Sequence, residues 1–231
     1  MSEKAAQVAL RKKAALVDRI LTETYGEKSA CEGEDPVDTL VETILSQNTT
    51  DVNSHRSFLA LKKEYDDWHR LLGEEHAVVS KTIRSGGLPD IKARRILDAL
   101  EFINRERGRI ELDFLREMSP AEADGWLAQM KGVGPKTRSI VLLFSLGMPA
   151  FPVDTHIHRV TRRLGLIGPK VSRERAQGEL GALVPKSEYY NFHINLIEHG
   201  RAVCRARKPA CDGCVISRAC DHFSTSRKGQ P

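Results

Sequence analysis

The 231-residue sequence contains no run approaching the ~18 consecutive apolar residues that a membrane-spanning helix needs. Its first residues, MSEKAAQVALRKKAALV, also lack the basic head, apolar stretch and small-residue cleavage site of a secretory signal peptide. These two absences lead us to expect a cytoplasmic protein that does not associate with a membrane. Disulfide bonds are rare in that compartment, so the five cysteines require another interpretation.

Alternation of apolar and polar residues, which is typical of β-strands, is also nearly absent. The segment DPVDTLVETILSQ instead repeats its apolar residues at helical spacing, after Asp35 as a helix cap and Pro36 at the first helical position. Ser119 and Glu122 form the pattern of a capping box. The helix that begins in PKTRSIVLLFSLG should be buried on most sides and end at Gly147. We therefore predict an all-α fold with roughly nine or ten helices.

The sequence contains no internal repeat and no low-complexity segment, and MPAFP (148–152) is the clearest candidate for a hinge or domain boundary. The polar tail FSTSRKGQP is expected to fray. A net charge of +5 is compatible with nucleic-acid binding, although many proteins as basic as this one bind none.

Four of the five cysteines lie near the C-terminus, spaced C-x6-C-x2-C-x5-C. Four thiolates so close in sequence suit a tetrahedral zinc ion or a [4Fe-4S] cluster, and the spacing alone leaves both open. Cys31 stands apart and is expected only to pack. The predicted ligands are Cys204, Cys211, Cys214 and Cys220.

A glycine-rich turn, KGVG, is followed by Pro135 and Lys136 at the start of the next helix. Uncovered backbone amides at such a turn can bind one phosphate of a nucleic acid, although a plain turn between two helices often contains glycine too. Lys136 has no such simple explanation, because a helix start is a poor place for an ammonium group. Asp154, eighteen residues later, is a favoured residue for capping the helix that follows it.

The stretch KGVGPKTRSIVLLFSLGMPAFPVDTHIHRV, followed by the four cysteines, resembles the endonuclease III family of helix-hairpin-helix DNA glycosylases. The hairpin, the Lys136-to-Asp154 spacing and the cysteine spacing all agree with it, and the similarity extends from about Pro36 to Cys220. The resemblance implies a six-helix barrel domain at residues 30–149 and an iron-sulfur cluster domain formed by residues 1–29 and 150–231, with the active site in the cleft between them. It also favours a [4Fe-4S] cluster over zinc.

The implied partner is double-stranded DNA that contains damaged bases or abasic sites, and we expect the protein to act as a monomer, on the nucleoid if it is bacterial. The residues expected to contact DNA lie in the hairpin, in two loops that probe the duplex, and in the loop after the first ligand cysteine. For the basic side chains of that last loop, the alternative interpretation is an ordinary solvated surface. They are Lys131, Gly132, Val133 and Gly134; Asn48 and Leu88; and Arg205, Arg207 and Lys208.

In this family the lysine that matches Lys136 is the nucleophile, and the aspartate that matches Asp154 assists it. The resemblance implies that a neutral amine attacks C1′ of a flipped nucleotide, expels the base, and forms a Schiff base that allows β-elimination of the 3′ phosphate. The carboxylate would stabilise the positive charge of the sugar in the transition state. We therefore expect removal of oxidised pyrimidines, and we expect partial burial to favour the neutral form of Lys136.

Two departures from the family pattern concern how the substrate is held. Asn48 replaces the usual glutamine, which fills the gap left by the flipped nucleotide, and Gln47 should point about 100° away on the same helix. Leu88, the implied wedge, precedes Pro89, where the family often has tyrosine. Substrate preference therefore follows less directly from the sequence than the chemistry does.

Two other functions remain open from the sequence. A monofunctional mismatch glycosylase of the same fold would lack a lysine at position 136. A non-catalytic protein that only binds DNA, or that senses redox state through its cluster, would need neither Lys136 nor Asp154.

Overall fold

The fold is all-α in a computed structural model that describes residues 2–29 and 34–228, which confirms the predicted fold class. Cys31 lies outside the described residues. Eleven α-helices occur in these two ranges, slightly more than expected, and no β-strand does. The helices are α1 (Glu3–Tyr25), α2 (Pro36–Ser46), α3 (Asp51–Glu64), α4 (His76–Thr82), α5 (Pro89–Arg107), α6 (Pro120–Leu127), α7 (Pro135–Ile140), α8 (Thr155–Leu164), α9 (Arg173–Leu183), α10 (Tyr189–Ala202) and α11 (Asp221–Lys228).

Contacts along the backbone divide the chain into two compact units. The terminal unit consists of Met1–Ala30 and Pro149–Pro231, and the central unit consists of Cys31–Met148. Within the described ranges, none of the helices combines the length and the apolar composition that crossing a bilayer requires.

Caps predicted from the sequence define several helix starts in the central unit. The Asp35 side chain accepts hydrogen bonds from the amides of Val37 and Asp38, at 2.7 and 3.1 Å, so it stabilises the first turn of α2. The capping box of α6 is complete, because Ser119 Oγ accepts from the Glu122 amide while the Glu122 carboxylate accepts from the Ser119 amide. These local signals were sufficient to place both helix starts.

The helix that follows the hairpin differs from the regular one predicted. Regular α7 ends at Ile140, and Val141–Ser145 continues as one turn of π-helix in which the Leu146 amide donates to the Val141 carbonyl at 3.2 Å. The expected burial of this segment is observed, since Val141, Leu142 and Leu143 are all buried. Sequence periodicity assumes a constant helical pitch, so it does not reveal such a widened turn.

The terminal unit joins α1 to α10 through Asn191, whose Nδ2 donates to Asp18 Oδ1 at 3.1 Å and to Thr22 Oγ1 at 2.8 Å. Helix α11 includes residues 223–228 of the tail that was predicted to fray, and the last three residues of that tail lie outside the described residues. Asp221 explains part of this result: it lies in the first turn, where the helix dipole favours an acid, and it pairs with Lys13 at 2.6 Å.

Candidate active site and nucleic-acid interface

The hairpin between α6 and α7 is anchored by two apolar residues that point inward. Met130 and Val133 are 2% and 4% exposed, while Lys131, Gly132 and Gly134 are exposed. Gly132 has a φ of +84°, a conformation that side chains other than glycine's rarely adopt. The chain therefore presents the backbone of this turn to solvent and buries its apolar side chains.

Val133 differs from the other predicted hairpin contacts because its side chain points into the core. Its side chain is buried, and its amide already donates to the Met130 carbonyl at 3.2 Å. Three amides of this turn have no backbone acceptor among the described residues: those of Gly132, Gly134 and Lys136. They can therefore donate hydrogen bonds to the oxygens of a phosphate. The Val133 side chain contributes to the core, while a DNA contact through the backbone at this position stays a prediction.

Lys136 occupies the second position of α7, one residue after Pro135. The prediction of partial burial was wrong, because Lys136 is exposed. Within the described residues its ammonium makes no hydrogen bond and no ion pair, while its neighbour Thr137 is 4% exposed. The lysine predicted to be the nucleophile is therefore accessible and is not held by a structural contact.

Two arginines that the sequence did not single out fix the hairpin in place. The stem of Arg95, on α5, lies against Gly132, where any added Cβ would come within 2.8 Å of Arg95 Cγ. Arg138, on α7, pairs through two nitrogens with the carboxylate of Asp124 on α6, at 2.8 and 3.3 Å, and also contacts the Val133 carbonyl at 3.4 Å. Such forked pairing is the most specific geometry available to an arginine, so it ties the two helices of the hairpin together.

Gln47 connects α5 to the helix that carries Lys136. Arg95 Nη1 donates to Gln47 Oε1, and Gln47 Nε2 lies 3.5 Å from Thr137 Oγ1. The expectation that Gln47 and Asn48 share one helix was wrong, since α2 ends at Ser46 and Gln47 has extended backbone. The predicted 100° separation therefore does not apply, and Gln47 serves as an internal tie. Nothing in the local sequence pairs Gln47 with an arginine 48 residues later.

Asn48 and Leu88, the two residues predicted to probe the duplex, share an uncommon backbone conformation. Their φ angles are +54° and +51°, in the left-handed region that disfavours side chains other than those of glycine and asparagine. Both residues are exposed, and Leu88 is one of the few large apolar side chains that are. Left-handed conformations at residues other than glycine persist where the surroundings enforce them, and they cluster at functional sites.

Asp154, in the terminal unit, caps α8 as its sequence position suggested. Its Oδ1 accepts a hydrogen bond from the Ile157 amide at 2.7 Å. The second carboxylate oxygen, Oδ2, accepts no hydrogen bond from the described part of the chain, and the residue is half-buried. One oxygen is therefore structural, while the other is available for a second task.

All four C-terminal cysteines line one pocket in the terminal unit, and none of them forms a disulfide bond. The described residues around it include no carboxylate; the other polar members of the lining are Arg163, His199, Ser217 and His222. Burial raises the pKa of the Cys211 thiol, and the neighbouring Cys204 and Cys220 raise it further. Burial also raises the pKa of the Cys214 thiol and lowers the pKa of His199 to about 4. Four sulfurs with few other donors suit a soft, positively charged centre.

The sulfurs are not arranged around a single point. Among the described residues, no group of three or more His, Cys, Asp or Glu side chains is disposed to hold one metal ion. A single zinc ion with Zn–S bonds of about 2.3 Å would require its sulfurs to lie about 3.8 Å apart. The four thiols thus share a pocket without forming the tight cage of a mononuclear site.

The basic loop after Cys204 is held by arginines of α8. Arg163 Nη1 donates to the Arg205 carbonyl at 2.8 Å, and its Nη2 donates to the Ala206 carbonyl at 3.2 Å. Arg159 Nε donates to the Cys204 carbonyl at 2.9 Å. This support leaves three basic side chains exposed, and they are the ones predicted to contact phosphate: Arg205, Arg207 and Lys208.

Comparison with known proteins shows that this chain is similar to DNA repair proteins. A family model described as HhH-GPD superfamily base excision DNA repair protein matches residues 41–186. Endonuclease III of Sulfolobus acidocaldarius is 34% identical over 187 residues, which are 80% of this chain and 81% of that enzyme.

A plant protein and a solved structure extend the comparison. A protein of Arabidopsis thaliana named as a DNA glycosylase is 37% identical over 177 residues, or 77% of this chain, but the match spans only 60% of that plant protein. The solved structure of an endonuclease III trapped as a covalent intermediate with DNA matches 98% of this chain and 99% of its own, with a TM-score of 0.78 and 26% identity.

Proposed function

The chain belongs to the endonuclease III family within the HhH-GPD superfamily of base excision DNA repair proteins, and on that premise we propose that it is a bifunctional DNA glycosylase and abasic-site lyase. The proposed substrates are oxidised pyrimidines in duplex DNA. The observation that carries the proposal is the exposed and uncommitted ammonium of Lys136, at the helix start directly behind the glycine-rich hairpin. The solved relative trapped covalently on DNA supports a covalent route in this family.

The proposed reaction begins when the damaged nucleotide leaves the base stack. The neutral amine of Lys136 forms a bond to C1′ while the C1′–N bond to the base breaks, so the base leaves with that electron pair. The sugar ring then opens, and the nitrogen and C1′ form a protonated Schiff base. Loss of a C2′ proton expels the 3′ phosphate by β-elimination, which nicks the strand. Hydrolysis of the Schiff base returns Lys136.

Asp154 is proposed to act as both helix cap and catalytic carboxylate. Its Oδ1 is held by the Ile157 amide, so the orientation of the carboxylate is set by α8. The remaining oxygen, Oδ2, would stabilise the positive charge that develops on the sugar as the base departs. A carboxylate that is already oriented needs no rearrangement at that moment, which makes it more effective.

DNA is proposed to bind through backbone amides and exposed cations. In the hairpin these are the amides of Gly132 and Gly134 with the side chain of Lys131, and in the basic loop they are Arg205, Arg207 and Lys208. Asn48 and Leu88 would enter the duplex, where an exposed apolar side chain can separate stacked bases.

The four cysteines are proposed to bind a [4Fe-4S] cluster. They fit this group because all four line one pocket whose lining includes no carboxylate among the described residues. Cys204, Cys211, Cys214 and Cys220 would each bind a different iron atom, and the bound cluster would supply a structural crosslink for the loop. No step of base removal passes through it.

The role of Lys136 is tested by reductive trapping with borohydride on duplexes that contain thymine glycol, 5,6-dihydrouracil or 8-oxoguanine. Lys136→Gln should reduce the trapped complex by about 10⁴-fold or more, because the amide cannot form a Schiff base. Lys131→Gln is the matched control, since it neutralises an exposed lysine of the same hairpin and should alter only DNA affinity. Trapping by Lys136→Gln would contradict the lysine's role, and exclusive action on 8-oxoguanine would contradict the pyrimidine assignment.

The two roles of Asp154 can be separated by one substitution. Asp154→Asn should preserve the cap, because asparagine caps helices as well as aspartate does, and should slow base removal about 10²- to 10³-fold. Single-turnover excision and thermal unfolding measure the two effects. Asp154→Ala should lose the cap as well. If Asp154→Asn excises bases at the parental rate, the carboxylate is only a cap.

A further inference from the structure

A lysine on α5 is almost completely withdrawn from solvent, although it forms no ion pair with any carboxylate of the described residues. Lys92 is 1% exposed, and its Nζ donates to the Leu45 carbonyl and to the Gly86 carbonyl, each at 2.7 Å. Lysine is almost never fully buried unless it has such partners. The buried ammonium of Lys92 therefore satisfies two backbone carbonyls, and the sequence context of a helical lysine does not reveal this.

Both acceptors lie at the ends of helical segments. Leu45 is in the last turn of α2, and Gly86 ends the short 3₁₀ segment Arg84–Gly86. Carbonyls at such ends have no partner within their own helix and carry partial negative charge. Lys92 therefore satisfies two separate C-termini with one ammonium group, although burial and the nearby Arg95 lower its pKa.

The chain that follows each acceptor leads directly to a predicted DNA probe. Asn48 comes three residues after Leu45, and Leu88 comes two residues after Gly86. Lys92 also donates its own backbone amide to the Leu88 carbonyl, at 3.1 Å. Lys92 is thus hydrogen-bonded to the segments that lead to Asn48 and to Leu88, and also to the backbone of Leu88 itself.

The second tip is held tightly on its other side too. A Cβ added at Gly86 would lie 2.8 Å from Ser57 Oγ, so the turn packs directly on α3. Ser57 Oγ in turn donates to the Ile83 carbonyl at 3.2 Å. The turn cannot shift toward α3, which leaves Lys92 as the group that bonds it to the end of α2.

We propose that Lys92 is a positioning residue that holds the loop tips bearing Asn48 and Leu88 at a defined separation, so that both enter the duplex at a single flipped nucleotide. This proposal rests on the proposed function, because it assumes that the two tips probe DNA. A misplacement of about 1 Å at a reacting site reduces rates by about 100-fold, so a tie of this kind has a direct effect on excision.

Hydrogen exchange of the full chain tests the tie without reference to activity. Lys92→Met retains the length of the side chain and removes the ammonium, so exchange should rise in residues 46–50 and 86–90 by clearly more than the uniform rise that the lower stability of the variant gives elsewhere in the central unit. Ser145→Ala is the matched control, because it removes another buried hydrogen bond of α2, from Ser145 Oγ to Thr39 Oγ1 at 2.6 Å, and should leave both loops unchanged. Parental exchange in both loops of Lys92→Met would overturn the proposal.

A fluorescence measurement then connects the tie to the substrate. With 2-aminopurine beside the damaged base of a duplex, Lys92→Met should bind with parental affinity within about threefold but give a smaller rise in emission, and kcat should fall about 100-fold with little change in KM. Parental emission and kcat would overturn the proposal. If the parent itself is not trapped on any damaged duplex, the proposed function fails, and exchange still decides whether Lys92 holds the loops.

A second substitution covers the case in which Lys92→Met does not fold. Lys92→Gln retains one donor group. Its exchange rate in the two loops should therefore lie between the rate of the parent and the rate of Lys92→Met. If both variants are unfolded while Ser145→Ala is folded, Lys92 is a determinant of overall stability, and the specific positioning role is wrong.

Discussion

Lys92 in the central unit is fully buried and Asp18 in the terminal unit is half-buried, and the two charged groups are compensated in opposite ways. Lys92, in the central unit, donates to two carbonyls at helix ends, where its positive charge is complementary. Asp18, in the terminal unit, accepts one amide hydrogen bond from Asn191 and lies near another acid, Glu188. Burial, and after it the nearby Glu188, raise the pKa of Asp18 to about 6, against the lowering effect of the Asn191 hydrogen bond.

The comparison between Lys92 and Asp18 indicates when a charged group that is removed from water stabilises the structure around it. Arg163, in the terminal unit, resembles Lys92 because it also donates hydrogen bonds to the backbone carbonyls of a loop, those of Arg205 and Ala206. The basic side chains of that loop remain exposed. Asp18 bonds no loop and gains no cationic partner from the described residues. We infer that Lys92 and Arg163 stabilise the loops whose carbonyls they bind, whereas the charge of Asp18 destabilises its unit.

The largest expected effect on stability comes from Lys92→Met. It leaves two buried carbonyls without a donor, at a cost of about 1–3 kcal/mol each, so the central unit should lose about 4 kcal/mol. Both tryptophans, Trp68 and Trp126, belong to this unit, so urea unfolding followed by tryptophan emission reports on it. Lys62→Met, which breaks a partly exposed pair with Asp38, should cost less than about 1 kcal/mol. Equal losses in the two variants would remove the distinction between the buried and the partly exposed cation.

Asp18→Asn should have the opposite sign and a smaller size. The pKa of Asp18 is higher in the folded chain than in the unfolded one, so the parent loses stability as pH rises from about 4 to about 6. The variant should therefore match the parent below pH 4 and exceed it by about 1 kcal/mol at pH 7, a value reduced because the carboxyl is half-exposed. Urea unfolding followed by circular dichroism at several pH values measures this. Glu23→Gln removes an exposed acid of the same helix and keeps Asp18, so it is the matched control and should lose stability with rising pH as the parent does.

Local chemistry explains why much of the fold could be predicted from the sequence. The caps at Asp35, Ser119 and Asp154 act within three residues, so their patterns are visible in the chain and all three occur. The glycine-rich turn KGVG was visible for the same reason, and Gly132 in it has a positive φ. The endonuclease III resemblance then supplied the roles of Lys136 and Asp154, which remain proposals.

Features that depend on distant residues were missed. Lys92 precedes an alanine and follows an exposed isoleucine, so its sequence context does not indicate burial. Gln47 is bound by Arg95, and Val133 is buried beneath the hairpin, because of tertiary contacts that no local pattern contains. The end of α2 before Gln47 was also missed, since a polar helix end and a loop have similar compositions.

The smallest expected change in stability comes from Leu88→Gly. This variant tests whether the left-handed conformation of Leu88 contributes to function or to folding. Glycine would relieve the left-handed conformation of Leu88 by about 1 kcal/mol and would lose a similar amount through the entropy of the unfolded chain, so stability should stay within about 0.5 kcal/mol. Excision should nevertheless fall at least about tenfold, because the wedge is gone.

The matched control for Leu88 is Ile91, which is 49% exposed, compared with 48% for Leu88, but has ordinary helical backbone. Ile91→Ala should leave single-turnover excision and 2-aminopurine emission near parental. Lys92→Met should then impair both folding and excision, Leu88→Gly only excision, and Ile91→Ala neither. If Leu88→Gly and Ile91→Ala behave alike, the left-handed leucine is not a probe of DNA, and Lys92 would stabilise the central unit without positioning anything for catalysis.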